Sequence, residues 1–297
     1  MSVDLAVVGS PFLDLTFEGL PRVPAPGEEV TGVRLHAGPG GTGIHAVGAA
    51  RLGLSVALVA PVPQDELGRL LRRMLEEEDV AWSGGETSTA HVTALLSTPE
   101  GTAMASALPP DEPTAEEVAA VAPTAVVVSL GRVTLAPAGV RVHAVTGPLE
   151  AERAAGMLGG HGDLLDSFIC NASEAAAITG WDDPAAAALE LGRFARTAVV
   201  TMGGDGAVGS ESGDLIRAAA PDVGLVDATG AGDLFVAAYA WADAQRLPIE
   251  QRLAWATLYA GLSVRAPTAL AGALHLRDIL DEGARRGLAV PPEISRP

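Results

Sequence analysis

The chain has 297 residues, 48% of them hydrophobic, and a mean hydropathy of +0.29, enough apolar material for one large α/β core. A formal charge of −18 argues against nucleic acid and anionic membranes as partners. All 19 basic residues are arginine, which removes any phosphate loop that needs G-K-[ST] and any Schiff-base chemistry.

The single cysteine, Cys170, excludes an internal disulfide and fits a reducing, cytoplasmic setting. The N-terminal Met1-Ser-Val-Asp-Leu has no positive region and enters a strand at once, so no signal peptide is expected. The longest apolar run, 118–130, is broken by Pro123 and is too short to span a bilayer.

Residues 4–9 read as a buried first strand, and 12–17 alternate like a half-exposed one. Pro21, Pro24, Pro26 and Gly27 mark a loop before a further exposed strand over 29–35. Gly38-Pro-Gly40-Gly41-Thr-Gly43-Ile-His45 then turns into a helix over 44–52. Its G-x-G-x-x-G spacing does not make a dinucleotide site. It does not follow the first strand directly, Pro39 occupies the turn, and no acid ends the next strand, 55–60.

A helix over 65–78 buries Leu67, Leu70, Leu71, Met74 and Leu75, with Arg69, Arg72 and Arg73 paired to the glutamates at 76–78. A hairpin follows over 89–97 and 102–108, and Pro109-Pro110 ends it. The βα rhythm then resumes with a helix at 113–121, strands at 124–130 and 139–145, a helix at 150–158 and a strand at 166–170. Asn171 and Glu174 form a capping box for a helix that Gly180 closes. A helix over 182–195 leads to a strand at 197–201. The glycine turn Gly203-Gly204-Asp205-Gly206 opens a hairpin over 206–210 and 215–219.

A short apolar strand at 224–226 precedes the turn Asp227-Ala-Thr-Gly230-Ala231-Gly232-Asp233 and a helix over 231–245. The free amides near Ala231, Gly232 and Asp233, with the helix dipole, make a place for negative charge. Asp233 puts a carboxylate beside it, a pairing that suits phosphoryl transfer. A second helix spans 250–264, and the tail from Val290 is proline-rich.

Asp227 to Asp233 resembles the D-T-x-G-A-G-D signature of the ribokinase (PfkB) family of carbohydrate kinases. Gly40-Gly41-Thr-Gly-Ile-His45 is similar to its G-G-x-x-x-N, with histidine in place of asparagine. Asn171/Glu174 resemble its N-x-x-E, and Thr201 to Gly206 its T-x-G-x-x-G. The resemblance implies a three-layer α/β/α sandwich with a mainly parallel central sheet. It implies one domain over 1–297, with β-sheet lid strands inserted at about 11–37 and 86–108. It makes Asp233 the catalytic base and Gly230, Ala231 and Gly232 the anion hole. Asp14, Gly40, Gly41, His45 and Asp233 face a sugar, with His91 as a lid candidate. Asn171, Glu174, Thr201, Gly203, Asp205, Gly206, Gly230 and Gly232 face the nucleotide. It implies ATP with Mg²⁺, the metal reached by Glu174 through water. It further implies a monovalent cation such as K⁺ near Asp227, an adenine pocket between the 250–264 helix and loop 265–272, and a homodimer joined through the lids.

Two departures from the family pattern, Val145-Thr-Gly-Pro148 and Gly131-Arg132, loosen any specific assignment to ribose. The expected activity is ATP-dependent phosphorylation of a sugar or sugar-like hydroxyl. A nucleoside kinase and a non-catalytic nucleotide or sugar sensor stand as alternatives. A phosphorylated substrate would need Arg22, Arg34 or Arg132.

Overall fold

The computed structural model describes residues 2–107, 111–161 and 164–290. The first half holds β1 (Val3–Val8), β2 (Pro11–Glu18), β3 (Arg34–Gly41), α1 (Thr42–Arg51), β4 (Val56–Val59), β5 (Val62–Pro63), α2 (Glu66–Glu76), β6 (Val80–Ser83), β7 (Glu86–Thr87), β8 (His91–Thr98) and β9 (Gly101–Ala107). There follow α3 (Ala115–Ala120), β10 (Pro123–Ser129), β11 (Arg141–Val145), α4 (Pro148–His161), β12 (Ser167–Asn171), α5 (Ala172–Thr179), α6 (Pro184–Leu191) and β13 (Thr197–Thr201). The last are β14 (Ala207–Glu211), β15 (Asp214–Ala218), α7 (Ala231–Ala244), α8 (Ile249–Ser263), α9 (Ala269–Gly272) and α10 (Leu276–Arg285).

The central sheet has the order β15-β14-β13-β12-β11-β10-β1-β4-β6. From β6 to β13 every pairing is parallel, and the β14–β15 hairpin adds two antiparallel strands at one edge. Successive side chains in a strand face opposite ways, so each interior strand feeds two cores. Leu5, Val7, Ala125, Val127, Ile169 and Val199 pack with α1, α7 and α8 on one face. Ala6, Val8, Val126, Val128, Phe168 and Val200 pack with residues of α3 to α6 on the other. Helices on both faces of a mainly parallel sheet make the three-layer sandwich expected from the ribokinase resemblance. A smaller sheet, β3-β2-β8-β9, forms the lid over one end.

The structure corrects several local expectations. The glycine stretch at 38–41 is not a turn but the end of β3, which pairs along β2 from Glu18↔Arg34 to Pro11↔Gly41. The predicted strand at 29–35 starts only at Arg34. β3 is an edge strand, where the missing N–H of Pro39 costs no ladder bond. It passes directly into α1 at Thr42.

Residues 224–226 form no strand. Leu225 and Val226 are exposed, and the Val226 amide bonds to the Val264 carbonyl at the end of α8. The helix α7 is buried on all sides from Leu234 to Ala242 rather than along one stripe. Leu67 is exposed, since α2 turns Gly68, Leu71 and Leu75 inward. Arg69 pairs with Glu66 and not with a later glutamate, and Glu78 is taken by Arg51. Leu108, Pro109, Pro110 and the tail beyond Val290 lie outside the described residues.

Candidate active site

The parallel strands end on the lid side of the sheet, and the chemistry-bearing residues follow those ends. β12 and β13 finish side by side, with Asn171 opposite Thr201. Across the sheet, β2 leaves the end of β1 and carries Asp14 into the lid. The Asp14 carboxyl lies across the backbone of Gly40: a Cβ built on Gly40 would stand 2.0–2.1 Å from its atoms. Only glycine fits there while Asp14 keeps this position. A cavity of about 320 Å³ opens beside it, with Asp14, Thr16, His36, Leu95, Asp227 and Ala269 in its wall.

The helix α7 begins on the other side of this cavity. Its cap, Gly230, is left-handed at φ 75°, a conformation open to glycine at no steric cost. Among the described residues, the amides of Gly232 and Asp233 have no backbone partner. The Ala231 amide, expected to be free, donates to the Ala228 carbonyl at 3.2 Å, because the turn into the helix consumes it. A Cβ on Gly232 would meet nothing within 4 Å, and Gly232 lies in a cavity wall.

Asp233 stands between two cavities without forming the wall of either. Ala231 and Gly232 line the second, of about 430 Å³. That cavity also takes Asn171, Thr201, Gly203 and Gly206, and an apolar wall of Val223, Leu225, Phe235 and Val264. Asp205 faces an adjoining space of about 670 Å³ together with Asn171, Thr201, Gly203 and Arg217.

The electrostatics are those of carboxyls short of cations. Burial, and then the neighbouring Asp233, push Asp14 up to about 7. Burial also raises Asp233, which still leaves 36% of its side chain exposed, while His45 pulls it back down. The His45 Nε2 lies 3.3 Å from Asp233 Oδ1. Glu174 is raised by burial, with Asp233 adding to the effect, although its capping box with Asn171 opposes this. Asp227 Oδ1 accepts from the Thr229 amide at 2.9 Å, and the Asp227 amide is tied to Val264.

The sequence pattern of the pfkB family carbohydrate kinases matches residues 4–274. The chain belongs to this family. It is therefore a phosphotransferase of the carbohydrate kinase class. No curated protein matches it. Among solved structures, it is similar to a ribokinase from Cryptococcus neoformans var. grubii serotype A in complex with ADP. The identity is 20% and the TM-score 0.77, over 95% of this chain and 99% of that one. An adenosine kinase from Sinorhizobium meliloti is similar at 18% identity and TM-score 0.80, over 97% of this chain and 100% of that one. Phosphofructokinase-2 from Escherichia coli in complex with potassium is similar at 19% identity and TM-score 0.77, over 97% and 100%. At these identities the likeness is one of fold.

In this pfkB family kinase several expected residues lie elsewhere than the motifs imply. His45 is buried, 6% exposed, and turns to Asp233 rather than into the wall of the Asp14 cavity. His91 is buried against Phe12, ring centroids 5.5 Å apart, and is not in that wall either. Loop 265–272 does not border the second, apolar-walled cavity; its Thr268, Ala269 and Leu270 face the Asp14 cavity instead. The far wall of the second cavity comes from 220–225 and from Thr257, Ala260 and Gly261 of α8. Arg22 is held by Glu28 and Arg132 by Glu112, and neither they nor Arg34 line the Asp14 cavity.

Sequence reasoning missed Arg217. It projects from β15 beside Asp205, and only the hairpin register opposite Val208 brings it there. Among the described residues no group of three or more His, Cys, Asp or Glu could hold a metal ion. Nor is any helix among them long and apolar enough to cross a membrane.

Proposed function

We propose that this kinase transfers the terminal phosphoryl group of ATP to a hydroxyl of an uncharged sugar or sugar-like acceptor. The observation that carries this reading is the placement of Asp233. It sits at the first turn of α7, beside the unbonded amides of Gly232 and Asp233, between one cavity that suits a nucleotide and one that suits a polyol. The apolar wall of the larger cavity fits a base. Its glycine loop at 203–206 and the bare Gly232 leave main chain open to phosphate oxygens. Such a site needs no lysine, consistent with an all-arginine chain.

Asp14 and the backbone at Gly40-Gly41 orient the acceptor. With its carboxyl near 7, Asp14 can accept a hydrogen bond from a sugar hydroxyl or donate one to it. Asp233 takes the proton from the attacking hydroxyl. The amides at the start of α7, with the Gly230 cap, hold the charge that develops on the transferred group. Among the described residues no carboxylate cage for a metal exists, so a Mg²⁺ would arrive with the phosphates; Glu174 would hold it through water, and the metal would supply charge neutralisation. Asp227 and the 265–272 loop are the place we assign to a monovalent cation.

The acceptor is uncharged because Asp14 and Asp227 line its cavity and no arginine does. A phosphate dianion there would face two carboxylates with no arginine to pair with. A second reading, a nucleoside acceptor, is favoured by the apolar residues Leu35, Leu95 and Leu270 in the same wall, which suit a base.

An ADP-release screen over D-ribose, D-fructose, adenosine and fructose 6-phosphate tests the proposal, with Asp233→Ala as control. Turnover with a neutral acceptor, lost by about 10²–10⁴-fold in the control while the melting curve is kept, is the expected outcome. Turnover confined to the phosphorylated sugar, or a fully active control, overturns it.

A further inference from the structure

Position 45 is where this chain leaves the family's G-G-x-x-x-N pattern, and three observations place its histidine behind Asp233 rather than against the acceptor. The ring is buried and absent from the wall of the Asp14 cavity. Its Nε2 is 3.3 Å from Asp233 Oδ1. Its Nδ1 is buried with no hydrogen-bond partner among the described residues.

The approach of Nε2 to Oδ1 suits one tautomer: a nitrogen that donates to a carboxylate carries the proton, which puts it on Nε2. A bare Nδ1 lone pair is then the atom left unsatisfied, which costs less than a buried orphan N–H. Asp233 Oδ1 faces the His45 side. Oδ2 points toward Gly230, 3.8 Å from where a Cβ on that residue would stand.

The helices are packed to allow this. Gly48 lies one turn beyond His45 on α1, and a Cβ there would come within 2.8 Å of Leu234 and 3.0 Å of Ala237. The absent side chain lets α1 close on α7 at the level of residue 233. The charged groups that act on the pair are Asp14 from β2 and, through Asp233, Glu174 from α5. No arginine among the described residues faces it.

We propose that His45 is a positioning residue: it donates one N–H to the Asp233 carboxylate and so presents the other oxygen, at a fixed angle, to the acceptor hydroxyl. This rests on reading Asp233 as the base. A distance of 3.3 Å is long for such a bond, and a closed complex with both substrates would shorten it.

The test uses the full chain with His45→Leu, which removes the donor, and His45→Asn, which restores a shorter one. Initial rates are measured with ATP and with D-ribose, D-fructose and adenosine from pH 5.5 to 9. We expect His45→Leu to lower kcat about 10–100-fold, with KM for both substrates changed less than about threefold. The acid limb of its kcat profile should move to higher pH, because a carboxylate that loses a donor holds its proton more tightly. His45→Asn should recover most of kcat. In an Asp233→Asn background, His45→Leu should have no further effect.

A large rise in acceptor KM at unchanged kcat would make the ring a substrate contact and overturn the proposal. Wild-type kcat and pH profile in His45→Leu would reduce it to packing. Nitrogen-15 NMR of the imidazole gives a readout free of turnover: the proton should sit on Nε2, and a ring protonated on Nδ1 alone contradicts the assignment. If Asp233→Asn itself stays active, the base reading has failed. If that variant is dead and His45→Leu is silent, only the positioning role has failed.

Discussion

At the lid end of the sheet, Asp14 and Glu174 each feel the charge of Asp233, which faces His45, and all three carboxyls are raised by burial. At the opposite end the acids are matched. Asp243, at the close of α7, accepts from Arg141 and, at 3.1 Å, from Arg252. Arg252 also reaches Glu211 at 2.8 Å and the Tyr239 hydroxyl at 3.0 Å, and its guanidinium lies 5.4 Å from that ring's centroid. His143, 1% exposed, completes the group between Ser167 and Asp243, and burial lowers its ring below the ordinary histidine range.

One helix, α7, therefore begins among carboxyls without cations and ends in a paired network. The paired end holds β11, β14, α7 and α8 together. The unpaired end opposes folding at neutral pH, and under the proposed function that cost falls on the groups that bind the acceptor and take its proton.

The largest effect expected from breaking this contrast is at the paired end. Asp243→Ala leaves Arg141 and Arg252 without their shared acceptor and should cost about 3 kcal/mol in urea unfolding, while kcat of the folded fraction stays near wild type. Gly48→Ala wedges α1 from α7 and should cost about 1–3 kcal/mol; unlike the first change, it should also lower kcat, because His45 withdraws from Asp233.

Asp14→Asn sharpens the comparison by reversing the sign. A carboxyl near 7 in the fold and near 4 when unfolded binds more protons in the native state between those values. Stability from this group is therefore full below about pH 4 and lost as pH rises to about 7. Replacing it should stabilise the protein at pH 8 by about 1 kcal/mol, after allowing for solvent screening, and leave it unchanged at pH 4 in thermal melts. Acceptor KM should rise. The smallest effect is expected from Arg217→Ala, an exposed cation beside Asp205: a roughly threefold rise in KM for ATP, with stability unaltered.

The interior strands are legible in the sequence because burial on both faces writes them as continuous runs such as Ala125 to Val128. Asn171 and Glu174 are legible because a capping box is local. β3 is misread because its glycines answer to Asp14, a neighbour across the ladder, and not to a turn. β6, only Val80–Ser83, is too short to show a period. Val226 carries strand character, but its amide is taken by the Val264 carbonyl and not by a strand. In the site, the spacing of 227–233 is a local signal. The contact of His45 with Asp233 depends on two helices 180 residues apart meeting through a missing side chain, and the paired end is assembled from residues between 141 and 252. No window of sequence contains either.

The junction of β3 with α1 has a mechanical consequence. With no loop between Gly41 and Thr42, the lid strand and the helix form one continuous lever with its bend at Gly41, φ 53°. Any swing of the lid over an acceptor would be delivered undamped to the first turn of α1, the turn that holds His45. Capturing the acceptor and aligning the proton-accepting oxygen would then be two readings of a single displacement.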